Sequence, residues 1–300
     1  MTKTIHIIAG PTASGKSALA IERALALGGA VINVDSRQVY DALPILSAQP
    51  SQEDKGTVPH YLYGALHPNE TCSAGRWREM AEPLIAKLLE DGIAPIVTGG
   101  TGLYIRALTE GLSPIPRIPD DIREAANRAQ EEMGNPAFYD ALKARDPETA
   151  ALYHPMHTAR LVHAWEMLEA TGKGLAYWQS LPRLAPPEDW HFDITIVMPE
   201  RAVLHDRCNR RFVQMLDQGA MEEVNDFAAR AARGEIAPDS IVHKTIGLPA
   251  LRGLRDGTLS KEDAIASAQA ETRQYAKRQS TWFNNQIRPQ DNILNITVLG

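Results

Sequence analysis

The sequence predicts an α/β fold: a parallel sheet core with helices on both faces, interrupted by an all-helical insertion. Three observations carry this prediction. The apolar run Thr4-Ile5-His6-Ile7-Ile8-Ala9 leads directly into Gly10-Pro11-Thr12-Ala13-Ser14-Gly15-Lys16-Ser17, a strand-to-loop-to-helix passage that fits G-x-x-x-x-G-K-[ST] at every fixed position. Further β-branched runs at 30–34, 94–98 and 192–197 alternate with helical patterns such as 17–27 and 75–89. That alternation is the mark of a parallel sheet covered on both faces. Between two proline-rich passages, 114–119 and 181–187, no convincing strand occurs, and Leu161, Trp165 and Leu168 recur at helical spacing.

The 10–17 loop is the first chemical signal. Glycines let the backbone curl until successive N–H groups face a phosphate, and the following helix adds the partial positive charge of its N-terminus. Lys16 would bring a full charge to the terminal phosphate, and Ser17 would offer its hydroxyl to a magnesium ion bridging two phosphates. The loop therefore indicates a ligand with a pyrophosphate, a nucleotide or another diphosphate, without fixing what is attached to it.

The second strand ends in Asp35-Ser36-Arg37-Gln38-Val39-Tyr40, which places Asp35 beside the reacting end of whatever the loop holds. A carboxylate there can bind magnesium, accept a proton from a nucleophile, or cap the next helix. The 94–98 strand runs into Gly99-Gly100-Thr101-Gly102-Leu103, where paired glycines admit close backbone approach and Thr101 offers a hydroxyl. An ordinary ATPase places a magnesium-directing Asp at the end of such a strand, and its replacement by Thr98 and glycines weighs against nucleotide hydrolysis. Cations interleave with aromatics in the helical stretch from Thr272 to Phe283, which can grip phosphates and stack on bases or bury Trp282 and Phe283 against a core. Arg201, Arg207, Arg210 and Arg211 form either a solvated face or a group with one member aimed at a pyrophosphate. His154, His157 and His163 lack metal-ligand spacing and read as structural or RNA-facing.

Composition narrows the classes. The 300-residue chain is 44% hydrophobic, enough for a large core, and no apolar stretch approaches the length of a membrane span. A cytoplasmic protein with no membrane partner is expected, with Cys72 and Cys208 as small buried or half-buried residues. The net charge of −6 argues against coating nucleic acid through bulk electrostatics. Residues 201–300 hold 14 Lys and Arg against 12 Asp and Glu, so that third is +2 and the remainder −8. The expected organisation is a core from 1–117, a helical insertion over 118–188, and the rest of the core with basic C-terminal helices over 189–300.

Together these motifs resemble the tRNA dimethylallyltransferase (isopentenyltransferase) family. The likeness runs nearly end to end, through the 10–17 loop, Asp35-Ser36-Arg37-Gln38-Val39-Tyr40, Val58-Pro59-His60, Gly99-Gly100-Thr101-Gly102-Leu103-Tyr104, His157-Thr158-Ala159-Arg160-Leu161, the segment from Arg207 to Met215, and Ala276-Lys277-Arg278-Gln279-Ser280-Thr281-Trp282. The resemblance implies a P-loop kinase-like core whose loop holds dimethylallyl diphosphate with Mg2+. It implies a tRNA partner, bound by its anticodon stem-loop on the helical insertion, and an acceptor that is N6 of the adenine immediately 3′ to the anticodon. It implies that Asp35 contacts that amine, that Thr101 sits beside the leaving group, and that Arg211 lies near the diphosphate. Contacts to tRNA are implied for Asp35, Ser36, Arg37, Gln38, Thr101, Arg123, Ala159, Arg160, Leu161, Val162 and His163. The expected enzyme is a monomer.

One departure from the family pattern is plain: where many members carry Ile-Gly-Thr-Ala-Lys-Pro, this chain has Ile45-Leu46-Ser47-Ala48-Gln49-Pro50. The chemistry agrees with the residues independently. A stacked exocyclic amine must be extruded before it can react, and a carboxylate can take its proton as the N–C bond forms. Two rival classes remain: a small-molecule kinase using the loop on ATP with Asp35 as base, and a non-enzymatic RNA-binding switch that senses a nucleotide.

Overall fold

The computed structural model describes residues 3–300. They divide into two compact units, one formed by the chain up to Thr109 together with Pro186–Gly300, the other by Glu110–Ala185.

The first unit opens with β1 (Lys3–Ala9), α1 (Lys16–Leu27), β2 (Gly29–Asn33), α2 (Gln52–Thr57), β3 (His60–Tyr61), α3 (Ala74–Glu90), β4 (Ala94–Gly99) and α4 (Gly102–Thr109). The second unit consists of α5 (Asp120–Arg145), α6 (Pro147–Ala151), α7 (Thr158–Thr171) and α8 (Leu175–Ser180). The chain then returns through β5 (Trp190–Val197), α9 (Arg201–Asp217), α10 (Ala220–Ala232), a 3-10 turn at Ile241–Lys244, α11 (Leu248–Arg255), α12 (Lys261–Gln286) and β6 (Ile293–Leu299).

The six strands form one parallel sheet in the order β3-β2-β4-β1-β5-β6. Their composition explains why. Every residue of β2 is buried, and β1 and β4 are buried over their C-terminal halves, as strands covered on both faces require. α1 closes one face by laying Ala20 and Ala24 against Ile8, Val31 and Ile96. Register sets the position of the site. Ala9 pairs with Gly99, and Asn33 with Thr98, so the C-terminal ends of β1, β4 and β2 lie level. The loops that follow them therefore meet where the strand order reverses, the place where open α/β sheets bind ligands.

The observed sheet has two strands more than the four apolar runs indicate. β3 is two residues long, and β6 is an edge strand with mostly exposed side chains, so neither leaves a continuous apolar signature. The stretch after β5 forms two helices, α9 and α10, separated where Gly219 takes φ 99°. An alanine there would have to hold a left-handed conformation.

The helical unit has its own core, in which Phe138, Leu142, Leu161 and Ala164 are wholly buried. Phe138 and Trp165 pack at 4.8 Å between ring centroids with their planes tilted by 34°, and Arg145 covers the Trp165 ring at 4.7 Å. α5 breaks at Gly134 (φ 70°), just before Asn135-Pro136. Leu112 and Leu184 form an antiparallel bridge near the two ends of this unit. Among the described residues no helix is long and apolar enough to cross a membrane.

Candidate active site

The loop after β1 curls as the motif requires. Ala13 has φ 63° and Gly15, the N-cap of α1, has φ 101°, so the helix starts at Lys16 with its free N–H groups pointing back into the loop. Ser14 Oγ is buried with no hydrogen-bond partner, an acceptor and donor left for something the chain does not supply. Lys16 Nζ donates to Pro11 O at 3.1 Å, across the curl. Two arginines of α9 reach the loop from behind: Arg207 Nη1 donates to Ser14 O at 2.8 Å, and Arg211 Nη2 donates to Thr12 Oγ1.

The turn after β2 is built to aim Asp35. Buried Asn33 accepts from Asp35 N at 2.8 Å and donates to Asp35 O and Leu62 O at 3.0 Å. The Asn33 carbonyl in turn accepts from the buried Trp77 indole at 2.9 Å. Asp35 Oδ1 accepts from Arg37 N at 2.9 Å. Thr101 is committed to the same turn, accepting from Ser36 N at 2.9 Å while its hydroxyl lies 3.3 Å from Ser36 Oγ.

Gln279 of α12 ties the two loops together. Its Oε1 accepts from Thr12 N at 2.8 Å and its Nε2 donates to Gly100 O at 2.9 Å. A Cβ on Gly100 would fall 2.2 Å from Gln279 Nε2, and one on Gly102 would fall 2.2 Å from the Trp282 ring, so both glycines are required by side chains of one helix. Replacing Gln279 by Ala strands the buried Gly100 carbonyl at about 1–3 kcal/mol and frees the half-buried Thr12 N–H. The expected result is a melting temperature several degrees lower, with activity falling further than stability because the loops lose their mutual placement. Denaturant melts alongside initial rates check this; unchanged stability contradicts the tie.

These elements enclose a cavity of about 640 Å³. Thr12, Ala13, Gly15, Lys16, Ser17, Asp35, Ser36, Arg37, Gln38 and Arg211 all border it, whereas Gly10, Pro11, Ser14 and Thr101 lie outside its lining. Thr101 holds the edge through Ser36. Arg207, Arg210, Lys244 and Arg278 add cations to the wall, where Asp35 is the single carboxylate among the described residues. Burial pushes the Lys16 ammonium down to about 8 and Arg211 adds to this, while Asp35 opposes it. Burial, reinforced by Asp35, pushes the Tyr275 phenol up, so the ring stays a neutral wall. The balance of charge suits a polyanion held beside one carboxylate.

The remaining sequence-derived residues belong to the helical unit. Ala159, Arg160 and His163 are exposed on α7, and Arg160 lies 5.5 Å from the Tyr153 ring centroid. Leu161 and Val162 turn into the core instead, so their side chains are not offered to a ligand. Arg123 is paired with Asp120 at 3.1 Å and approaches Glu166 at 3.9 Å. Sequence reading missed Gln279 as a brace and Lys244 and Leu46 as wall residues. The Ala-Lys-Arg-Gln-x-Thr-Trp motif held the signal for Gln279, but only its partners 267 and 179 residues away give it meaning.

A level parallel sheet, a glycine-rich loop opening its first helix, and one carboxylate facing a ring of cations define an α/β protein with a cavity suited to a polyanion. Residues 38–286 match the family described as IPP transferase. The chain is 46% identical over 286 residues to a tRNA dimethylallyltransferase of Rhodospirillum centenum, covering 95% of this chain and 90% of that protein. It is 44% identical over 281 residues to the Rhizobium meliloti protein of the same name, covering 94% and 91%. The full-length tRNA isopentenylpyrophosphate transferase of Bacillus halodurans superposes with a TM-score of 0.66 at 32% identity, covering 100% of this chain and 90% of that one. A eukaryotic dimethylallyltransferase solved acting on tRNA gives 0.78 at 27% identity, over 94% of this chain and 70% of that one. The chain belongs to the IPP transferase family of tRNA dimethylallyltransferases and is an enzyme of that type. The small-molecule kinase reading is not favoured by these matches.

Proposed function

We propose that this enzyme transfers a dimethylallyl group from dimethylallyl diphosphate to N6 of the adenine immediately 3′ to the anticodon of tRNA, giving N6-(dimethylallyl)adenosine and diphosphate. The observation that carries the reading is the convergence of the Lys16 loop, Arg211 and Asp35 on one cavity. The diphosphate lies in the 10–17 loop, its oxygens taken by loop N–H groups and Lys16, which border the cavity. Arg211 and Arg207 stand behind the loop with further N–H groups. The extruded adenine presents its amine to Asp35. As the N6–C bond forms and the C–O bond to diphosphate breaks, the bonding pair leaves with diphosphate and the N6 proton passes to Asp35. Thr101 keeps the Asp35-Ser36 turn in place beside the reacting carbon.

Mg2+ fits this site as a companion of the diphosphate. Among the described residues no group of three or more His, Cys, Asp or Glu could hold a metal alone, whereas the Ser17 hydroxyl and the Asp35 carboxylate border the same cavity. One or two protein oxygens plus phosphate oxygens is the usual donor set for magnesium. The ion would neutralise charge on the departing diphosphate; Ser17 would orient it.

Calorimetry with each ligand separates the readings. Dimethylallyl diphosphate should bind, and tRNA-independent ATP turnover should be absent; rapid ATP hydrolysis would speak for the kinase instead.

The helical unit is proposed to hold the anticodon stem-loop through exposed Arg160, Ala159 and His163, with Arg123 alongside. Affinity for tRNA should be steeply salt-dependent despite the acidic net charge. Arg160→Ala should weaken all substrate tRNAs alike and flatten the log–log salt slope by about one unit. A slope untouched by the substitution shows that Arg160 serves only the Tyr153 contact.

A further inference from the structure

We infer that Leu46 sets the length of the hydrocarbon chain this cavity accepts; the inference rests on the transfer reading above. The charged wall of the cavity belongs to the 10–17 loop and the arginines, so an allylic tail lies against the apolar part of the lining, whose large aliphatic and phenyl side chains are Leu46, Phe212, Met215 and Ile246. Leu46, Phe212 and Met215 are buried in one apolar cluster.

Leu46 is held there from three sides. Glu223, in the first turn of α10, accepts from Ile45 N at 2.6 Å and from Leu46 N at 2.9 Å, one carboxylate oxygen to each. Gln38 Nε2 donates to Ser47 O at 2.9 Å and Ala48 O at 2.8 Å, pinning the other end of the loop. A Cβ on Gly247 would fall 2.8 Å from Phe212 Cε2 and 3.5 Å from Leu46 Cδ2, so both side chains are seated over that glycine. The loop cannot swing outward without breaking four hydrogen bonds to Glu223 and Gln38. Leu46 is thus a fixed stop rather than a compliant surface, and it stands where this chain departs from the family pattern.

The test compares dimethylallyl diphosphate with geranyl diphosphate, one isoprene unit longer, on unmodified tRNA with wild-type and Leu46→Ala protein. A methylene in an apolar pocket changes discrimination by about 10-fold or more. The ratio of kcat/KM for geranyl over dimethylallyl transfer should therefore rise by at least about 10-fold in Leu46→Ala. Should that variant not fold, Leu46→Val reads the same ratio with a smaller rise. An unchanged ratio in a folded variant overturns the assignment, as does an effect confined to KM for tRNA. Failure of the wild type to transfer from either diphosphate overturns the transfer reading itself, a distinguishable result.

Discussion

A Lys16→Ala protein should lose about 10²- to 10³-fold in transfer rate, the usual cost of removing one preorganised group from developing charge, with no loss of thermal stability. Both halves follow from its surroundings. The folded site lowers the ammonium from the ordinary 10.5 to about 8, chiefly through burial. Between those two values the unfolded chain holds the proton that the folded chain has released, so stability rises with pH across the window, and below about 8 the buried charge costs the fold. Taking the lysine away removes that cost. The same titration predicts that diphosphate affinity of the wild type falls as pH rises through about 8, while the variant shows no such step. A wild-type transfer rate in Lys16→Ala would remove the loop from the mechanism.

Asp35→Ala should abolish most transfer while leaving tRNA affinity within a modest factor, because assistance by a positioned base is worth about 10² to 10⁴ in rate and other groups hold the RNA. Asp35→Asn keeps the shape and an acceptor for Arg37 N, so it isolates the charge and proton-accepting capacity. Both variants should be compared under single-turnover conditions, where chemistry is separated from binding and release. If tRNA binding collapses while bound substrate reacts at the normal rate, Asp35 positions the base and another group takes the proton.

Local features of the site were legible in the sequence, and those made by distant partners were not. The 10–17 loop could be read because each fixed residue answers a local need: backbone curl, helix start, charge, hydroxyl. Asp35 could be read because strand ends in a parallel sheet have one address. Gln279 could not, since its value lies in touching Thr12 and Gly100 at once, which is a property of how α12 lies against the two loops. Val162 shows the converse, a residue within a stretch expected to contact tRNA whose place on α7 turns it into the core. The sheet's two missed strands share one cause: a strand that buries little leaves little apolar pattern.

The transfer itself is the most direct measurement. The protein is incubated with labelled dimethylallyl diphosphate and unmodified tRNA, and the nuclease digest is resolved by mass spectrometry. The account predicts label on N6 of the adenine 3′ to the anticodon, with diphosphate released in equal amount. Label absent from tRNA, or phosphate moved from ATP to a small molecule by the same preparation, contradicts it.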